Sequence, residues 1–185
     1  MLARYHEIEP ELQAADPTAY REVMARVLER LADESGVDLP AGERDALGRS
    51  LPGWPVFEEV PSELRDAHER GWNLVALSNS DRDLIDASLE VIGVPFEGAV
   101  VAGEIGSYKP AHGHWEEFFA SYPVDRDRHV HVAQSHFHDI VPANELGIPT
   151  IWINRLNERG EPAPTRELPD LRGLGDTLEE LVASR

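Results

Sequence analysis

From residue 62 to the end, short apolar segments alternate with helical segments, and this alternation constrains the fold more than any other feature. We predict four strands, over residues 72–77, 98–102, 129–133 and 150–154. Because each strand is followed by a helical segment, we expect the strands to run parallel. The predicted helices cover residues 62–70, 81–92, 111–120, 139–146 and 176–183. Right-handed crossovers through such helices give a parallel sheet covered on both faces. The predicted fold class is therefore α/β.

The first third of the chain has a different pattern, which predicts helices only. Asp16 and Pro17 are typical of a helix start, and Gly36 is typical of a helix end. Between them apolar residues recur at helical spacing: Tyr20, Val23, Met24, Val27, Leu28 and Leu31. Shorter helices are expected over residues 1–13 and 41–49. A segment rich in proline and glycine over residues 51–61 indicates a boundary. We expect a helical subdomain over residues 1–60 and an α/β core over residues 61–185.

The charge of the chain excludes several classes of partner. Its 17 basic and 35 acidic residues give a net charge of −18. Such a chain repels phosphate backbones and anionic lipids, so we expect no nucleic-acid and no membrane partner. The chain has no cysteine, which excludes disulfides and thiolate chemistry. The first residues lack the apolar stretch of a signal peptide, and we therefore expect a cytoplasmic protein.

Lys109 is the only lysine among the 17 basic residues. A bias that replaces lysine by arginine elsewhere should spare a position where a guanidinium cannot replace a compact ammonium. Lys109 is therefore a candidate functional residue, although a single lysine could also occupy an exposed turn.

Polar clusters follow three of the predicted strands. In an open parallel sheet, ligands bind beyond the carboxyl ends of the strands, so these clusters should meet at one edge. A hydroxyl, an ammonium and a carboxylate gathered there would form an anion site with an acid–base component. Ser78, Ser80 and Asp139 could instead simply cap helices. The clusters cover residues 78–81, 106–110 and 134–139.

These motifs resemble those of the haloacid dehalogenase-like (HAD-like) hydrolases, and within them the 2-haloacid dehalogenases. The matching segments are residues 74–79, 106–110, 131–139 and 146–155. The resemblance implies a Rossmann-like parallel sheet with an α-helical cap subdomain, and a small anionic substrate.

The resemblance also implies roles for individual residues. Ser78 would donate a hydrogen bond to the substrate carboxylate or leaving oxygen, and Lys109 would hold the nucleophile ionised. Asp139 would position Lys109 or, in phosphatase relatives, help to bind magnesium. The expected substrate-binding residues are Asn79, Arg4, Tyr108, Gln134, Ser135 and His136.

One departure from the family concerns the nucleophile. The family's first motif, an aspartate after an apolar strand, has no counterpart, because only Met1 to Tyr5 precede the cap segment. In the family that strand lies in the middle of the sheet, so we expect the central first strand to be absent. The chain as given should then be inactive by the family mechanism. We interpret the sequence as a shortened form of a longer hydrolase; a chain that had truly lost the strand would need another, for example from a partner.

A second departure concerns metal. Gln134 replaces the first of two acids that phosphatase relatives place in this motif, and one acid is a poor magnesium site. This favours a dehalogenase without a cofactor. The alternatives are a Mg²⁺-dependent phosphatase of small molecules that uses Asp81, and a non-catalytic, anion-binding pseudoenzyme. The sequence is also compatible with a homodimer.

Three H-x-H pairs raise the question of zinc, but they fall on different predicted elements, and we expect no zinc site. Near the site, His136 and His138 are placed to tune the charge between about pH 5 and 8. The pairs are His112/His114, His129/His131 and His136/His138.

Overall fold

The computed structural model describes residues 1–15 and 19–183 of the chain. The first region contains helices α1 (Leu2–Ala15), α2 (Tyr20–Ser35) and α3 (Ala46–Ser50), followed by a single 3₁₀ turn. The predicted start signal at Asp16 and Pro17 lies outside the described residues. Gly36 ends α2 with φ of 65°, a left-handed conformation that favours glycine. The third helix is shorter than predicted and begins at Ala46.

The second region alternates helices and strands as the sequence predicts, with boundaries shifted by a few residues. Its elements are α4 (Val60–Glu69), β1 (Val75–Ser78), α5 (Arg82–Ile92), β2 (Gly98–Val101), α6 (Ala102–Ile105), α7 (Gly113–Ser121), β3 (His131–Ala133), α8 (Val141–Glu145), β4 (Thr150–Ile153), β5 (Arg166–Leu168) and α9 (Leu174–Ala183).

Two local features differ from the prediction. A fifth strand, β5, pairs with β4; its short, charged sequence carries no strand signal, and backbone pairing with β4 supplies the structure. The helix expected over residues 139–146 is preceded by a π-helical turn over His136–Ile140, and only α8 is α-helical. The turn places Asp139 one residue before the end of this segment and buries it.

All strand pairs are parallel, as predicted, and they form two sheets, in agreement with the expected absence of a central strand. Strand β1 pairs with β2, and β3 pairs with β4, which pairs with β5. Among the described residues, β1 and β3 therefore each have one edge without a strand partner. Both strands line the same cavity of about 1060 Å³. The cavity separates the two half-sheets and contributes to the site described below.

Separate apolar clusters stabilise the two regions. One lies between the three-stranded sheet and helices α4 and α9, and includes Ala67, Ile151 and Leu174. The other packs α1 on α2 through Ile8 and Val23 and extends to Ala102 and Tyr108. Because this second cluster crosses residue 60, the helical region is held against loops of the core. The boundary at residue 60 stays a prediction.

Within residues 1–15 and 19–183, no helix has the length and apolarity that crossing a bilayer requires.

Asp81 fastens the helical region to the core by a hydrogen-bonding arrangement. Its two carboxylate oxygens accept hydrogen bonds from the backbone N–H groups of Tyr20 and Arg21, both at 2.9 Å. These are the first two residues of α2, whose N–H groups have no partners within the helix. A Cβ on Gly103 would lie 2.7 Å from Asp81 Oδ1, so a larger residue there would force the Asp81 carboxylate to shift. Asp81 thus caps a helix distant in sequence and forms no side-chain capping hydrogen bond with α5, the helix that follows it.

Candidate active site

Lys109 and Asp139 form a buried ion pair at the carboxyl ends of β1 and β3. Lys109 Nζ lies 2.7 Å from Asp139 Oδ1, and it also donates to the carbonyl oxygen of Leu77 at 2.7 Å. The two residues are 7% and 5% exposed. Burial alone raises the pKa of Asp139, but the Lys109 ammonium and the hydrogen bond from His131 outweigh it and lower that pKa well below its ordinary value. Asp139 is therefore ionised.

His131 is the third member of this buried cluster. Its Nε2 lies 3.0 Å from the same Asp139 Oδ1 that accepts from Lys109. Its ring contacts the indole of Trp115, with 5.2 Å between ring centroids. We did not predict a site role for His131. The sequence does predict that the side chains of residues 129 and 131 lie on one face of a strand. This spacing does not show that the His131 ring reaches a carboxylate on another loop.

Asn79 binds the backbone of Lys109. The Lys109 N–H donates to Asn79 Oδ1 at 2.7 Å, and Asn79 Nδ2 donates to the Lys109 carbonyl oxygen at 2.9 Å. Asn79 Nδ2 also lies 3.4 Å from Gln13 Oε1 on α1. Both ends of the amide are thus used within the protein. The structure shows Asn79 joining two loops, and its contact with substrate stays a prediction.

Ser78 ends β1 and faces the cavity. Its carbonyl oxygen accepts a hydrogen bond from His114 Nε2 at 2.9 Å. His114 is fully buried, and burial lowers its pKa to about 4, so the ring is neutral near neutral pH. Among the described residues, the Ser78 hydroxyl has no hydrogen-bond partner. It is therefore available to a ligand.

Three more residues that we expect to bind substrate, Gln134, Ser135 and His136, form hydrogen bonds at or next to the π-helical turn. Ser135 Oγ accepts from the His138 N–H and lies 3.0 Å from His138 Nδ1. His136 Nε2 lies 3.0 Å from the Pro162 carbonyl oxygen. The Gln134 carbonyl oxygen accepts from Trp152, while the residue itself is exposed and borders the cavity. Of the three, only Gln134 borders the cavity; Ser135 and His136 hold the turn in place.

The remaining two expected substrate contacts lie in the helical region or against it. Tyr108 packs in the apolar cluster of α1 and α2, and burial raises its pKa to about 12. Arg4 donates hydrogen bonds to Glu34 and Glu7 on the exposed surface of α1 and α2. Its guanidinium is thus committed to two carboxylates. The structure brings Ser78, Asn79, Lys109 and Asp139 together but does not place Arg4 with them.

The carboxylates present do not fit a magnesium site. Asp139 Oδ1 already accepts from an ammonium and an imidazole, and both Asp81 oxygens accept backbone N–H groups. Magnesium prefers several hard oxygen ligands, with carboxylates supplying the charge. Within the described part of the chain, no group of three or more histidine, aspartate or glutamate residues is arranged to hold a metal ion.

The cavity between the half-sheets leads to the ion pair. Its walls include apolar side chains from several helices, among them Leu64, Ile85 and Leu174. Ser78, Lys109 and Asp139 border it as well. Residues of both β1 and β3 border this cavity.

Known proteins resemble this chain over most of its length. It is 31% identical over 150 residues to an (S)-2-haloacid dehalogenase of Pseudomonas sp. strain YL, a match that covers 78% of this chain and 64% of that protein. It is 28% identical over 184 residues to a phosphoserine phosphatase of Thermus thermophilus, covering 98% and 72%. The L-2-haloacid dehalogenase of Xanthobacter autotrophicus superposes with a TM-score of 0.83 at 14% identity, covering 95% of this chain and 84% of that structure. No family model matches.

The parallel half-sheets and the helical region form an α/β fold similar to that of HAD-like proteins, as the sequence predicts. In sequence the chain resembles an (S)-2-haloacid dehalogenase, and it is also similar to a phosphoserine phosphatase. The chain matches less than two thirds of the length of the Pseudomonas dehalogenase.

Proposed function

We propose that this chain carries the substrate-binding part of a hydrolase site for small carboxylate-bearing halides of the 2-haloacid class, and that it works without a metal. The observation that carries the proposal is the buried Lys109 ammonium at the mouth of the cavity. An ammonium has three N–H donors, and Leu77 and Asp139 use two of them. The third N–H and the free Ser78 hydroxyl are available to a substrate carboxylate.

Hydrolysis by this class requires a carboxylate nucleophile. The nucleophile displaces the halide from carbon and forms an ester, which water then cleaves to release the hydroxy acid and regenerate the carboxylate. Asp139 is a poor nucleophile, because its Oδ1 is shared by Lys109 and His131. In our proposal the nucleophile belongs to an extended segment outside the described residues, seated in the cavity between β1 and β3. The described residues alone are then expected to bind substrate without turning it over.

The unique lysine makes substrate binding directly measurable. Protein grown with ¹³C- and ¹⁵N-labelled lysine gives one side-chain NMR signal, from Lys109, because no other lysine is present. Addition of 2-chloropropionate without metal should shift that signal in a saturable way. Ser78→Ala should weaken the binding by about tenfold or more, as expected for a hydrogen bond to a charged group. Ser88→Ala is the matched control, because Ser88 donates only to a carbonyl within α5.

The requirement for a nucleophile is tested by supplying it. A synthetic apolar peptide of five or six residues that ends in aspartate is added, and chloride release from 2-chloropropionate is measured. Release is expected with this peptide and not with the same peptide ending in asparagine. An unmoved Lys109 signal in the binding experiment, together with no chloride release, would refute the proposed function.

A magnesium-dependent phosphatase is the second candidate, supported by the similarity to a phosphoserine phosphatase. The engaged oxygens of Asp81 and Asp139 count against it. Phosphate release from phosphoserine that depends on magnesium would favour this candidate. If neither activity appears after a nucleophile is supplied, a non-catalytic protein that binds small anions is the remaining alternative.

We further propose a cytoplasmic location, which the lack of cysteine supports.

A further inference from the structure

We propose that His131 is a positioning residue of this site, which holds the Asp139 carboxylate so that Lys109 keeps one N–H directed at the ligand. The Lys109–Asp139–His131 arrangement is formed by the chain's own residues. The inference rests on the proposed function only for its consequence in ligand binding.

The direction of the hydrogen bond between His131 and Asp139 follows from the chemistry of the two groups. An ionised carboxylate can only accept hydrogen bonds, so His131 Nε2 must carry the hydrogen at the 3.0 Å contact. Lys109 donates to the same oxygen at 2.7 Å. One oxygen of Asp139 is therefore shared by two donors, and its orientation is fixed by both.

The two donors come from different parts of the fold, one from a strand and the other from a loop. His131 lies on β3, where it is paired with Thr150 of β4, and its ring packs on Trp115 of α7. Lys109 lies in the loop between α6 and α7. His131 thus anchors the carboxylate to the sheet, and the carboxylate in turn places the ammonium of the loop residue.

Removal of His131 should change how Lys109 pairs with Asp139. A carboxylate released on one side can rotate and accept a second N–H from the ammonium. That N–H is the one we assign to the ligand, because Leu77 and Asp139 already take the other two. Loss of the imidazole should therefore weaken anion binding even though His131 does not touch the ligand.

The test uses the single lysine signal in variants of His131. His131→Leu removes the donor, and His131→Gln keeps an N–H at a similar distance from the backbone. We expect His131→Leu to shift the Lys109 signal before any ligand is added and to weaken 2-chloropropionate binding about tenfold, the effect of one hydrogen bond. His131→Gln should restore both values. His112→Leu is the control, since His112 is half exposed and contacts Glu145.

Several outcomes would overturn the inference. It is wrong if His131→Leu folds and leaves both the Lys109 signal and the binding unchanged, or if the folded glutamine variant behaves like the leucine variant. If His131→Leu does not fold, His131→Asn is used in its place. The asparagine amide is too short to reach Asp139, so this variant should shift the Lys109 signal. An unchanged Lys109 signal refutes the inference. If 2-chloropropionate leaves the unmodified protein's signal unmoved, the proposed function fails, while the ligand-free comparison still tests His131.

Discussion

The Asn79 side chain forms two hydrogen bonds with the Lys109 backbone, one at each end of its amide. Asn79→Ala leaves a partly buried N–H and C=O without these partners, and each such group costs about 1–3 kcal/mol. We expect the free energy of unfolding to fall by at least that amount in urea denaturation. Asn73→Ala is the control, because Asn73 is exposed, and it should change stability by less than about 0.5 kcal/mol. Equal effects of the two substitutions would contradict the assignment.

Lys109 and Asp139 should show strong coupling in a double-mutant cycle. Lys109→Met or Asp139→Leu alone leaves a buried charge without its partner, which costs about 3–5 kcal/mol. The double variant removes both charges and should be more stable than the sum of the two losses implies. Urea denaturation of the four proteins at neutral pH gives the coupling energy. Additive losses would show that the pair at 2.7 Å does not act as a unit.

His114 should make the protein less stable in mild acid. Its folded-state pKa is lowered to about 4, below the unfolded value, so the unfolded chain takes up a proton first as the pH falls. The stabilisation is complete above the unfolded pKa of about 6.5 and is lost as the pH falls towards the folded pKa. Between about pH 7 and pH 5 the loss should be on the order of 2 kcal/mol.

The matched variant for this pH effect is His114→Gln. Glutamine can donate to the Ser78 carbonyl oxygen but does not titrate, so urea denaturation at several pH values should show a smaller slope than in the unmodified protein. A slope that is the same in the His114 variant would remove this histidine as the cause.

Asp81 should stabilise the protein more than Asp83, although both contact the start of α2. Asp81 accepts the backbone N–H groups of Tyr20 and Arg21, whereas Asp83 contacts the Arg21 side chain on the exposed surface. Asp81→Ala should cost about 0.5–2 kcal/mol, the value of a helix cap, and Asp83→Ala less than about 1 kcal/mol. Thermal denaturation of both variants measures the difference, and the reverse order would contradict it.

Much of the fold could be predicted because it follows from periodicity and from the position of glycine. The four apolar strands and the ends of α2 and α5 at Gly36 and Gly93 are examples. Strand β5 could not be predicted, because its Arg-Glu-Leu sequence becomes a strand only by pairing with β4. The split into two sheets agrees with the expected absence of a central strand, an expectation that came from the resemblance to the HAD-like hydrolases and not from a local pattern.

For the site, the sequence identified residue types at strand ends but not their partners. Lys109 stood out because it is the only lysine, and the fold brings it to Asp139. The hydrogen-bond partner of Asn79 could not be predicted, since an amide in such a loop can bind either substrate or backbone. The same applies to His131, whose ring crosses from a strand to a carboxylate eight residues later.

The burial of Lys109 also determines how fast its side chain reacts with reagents that acylate amines. All the other residues among the 17 lysines and arginines are arginines, whose guanidinium groups such reagents do not modify. The one lysine is 7% exposed and engaged in an ion pair, so acylation at this position requires local opening of the fold. The rate at which Lys109 is acylated therefore reports how often the site opens, while the arginine-rich surface stays chemically unchanged.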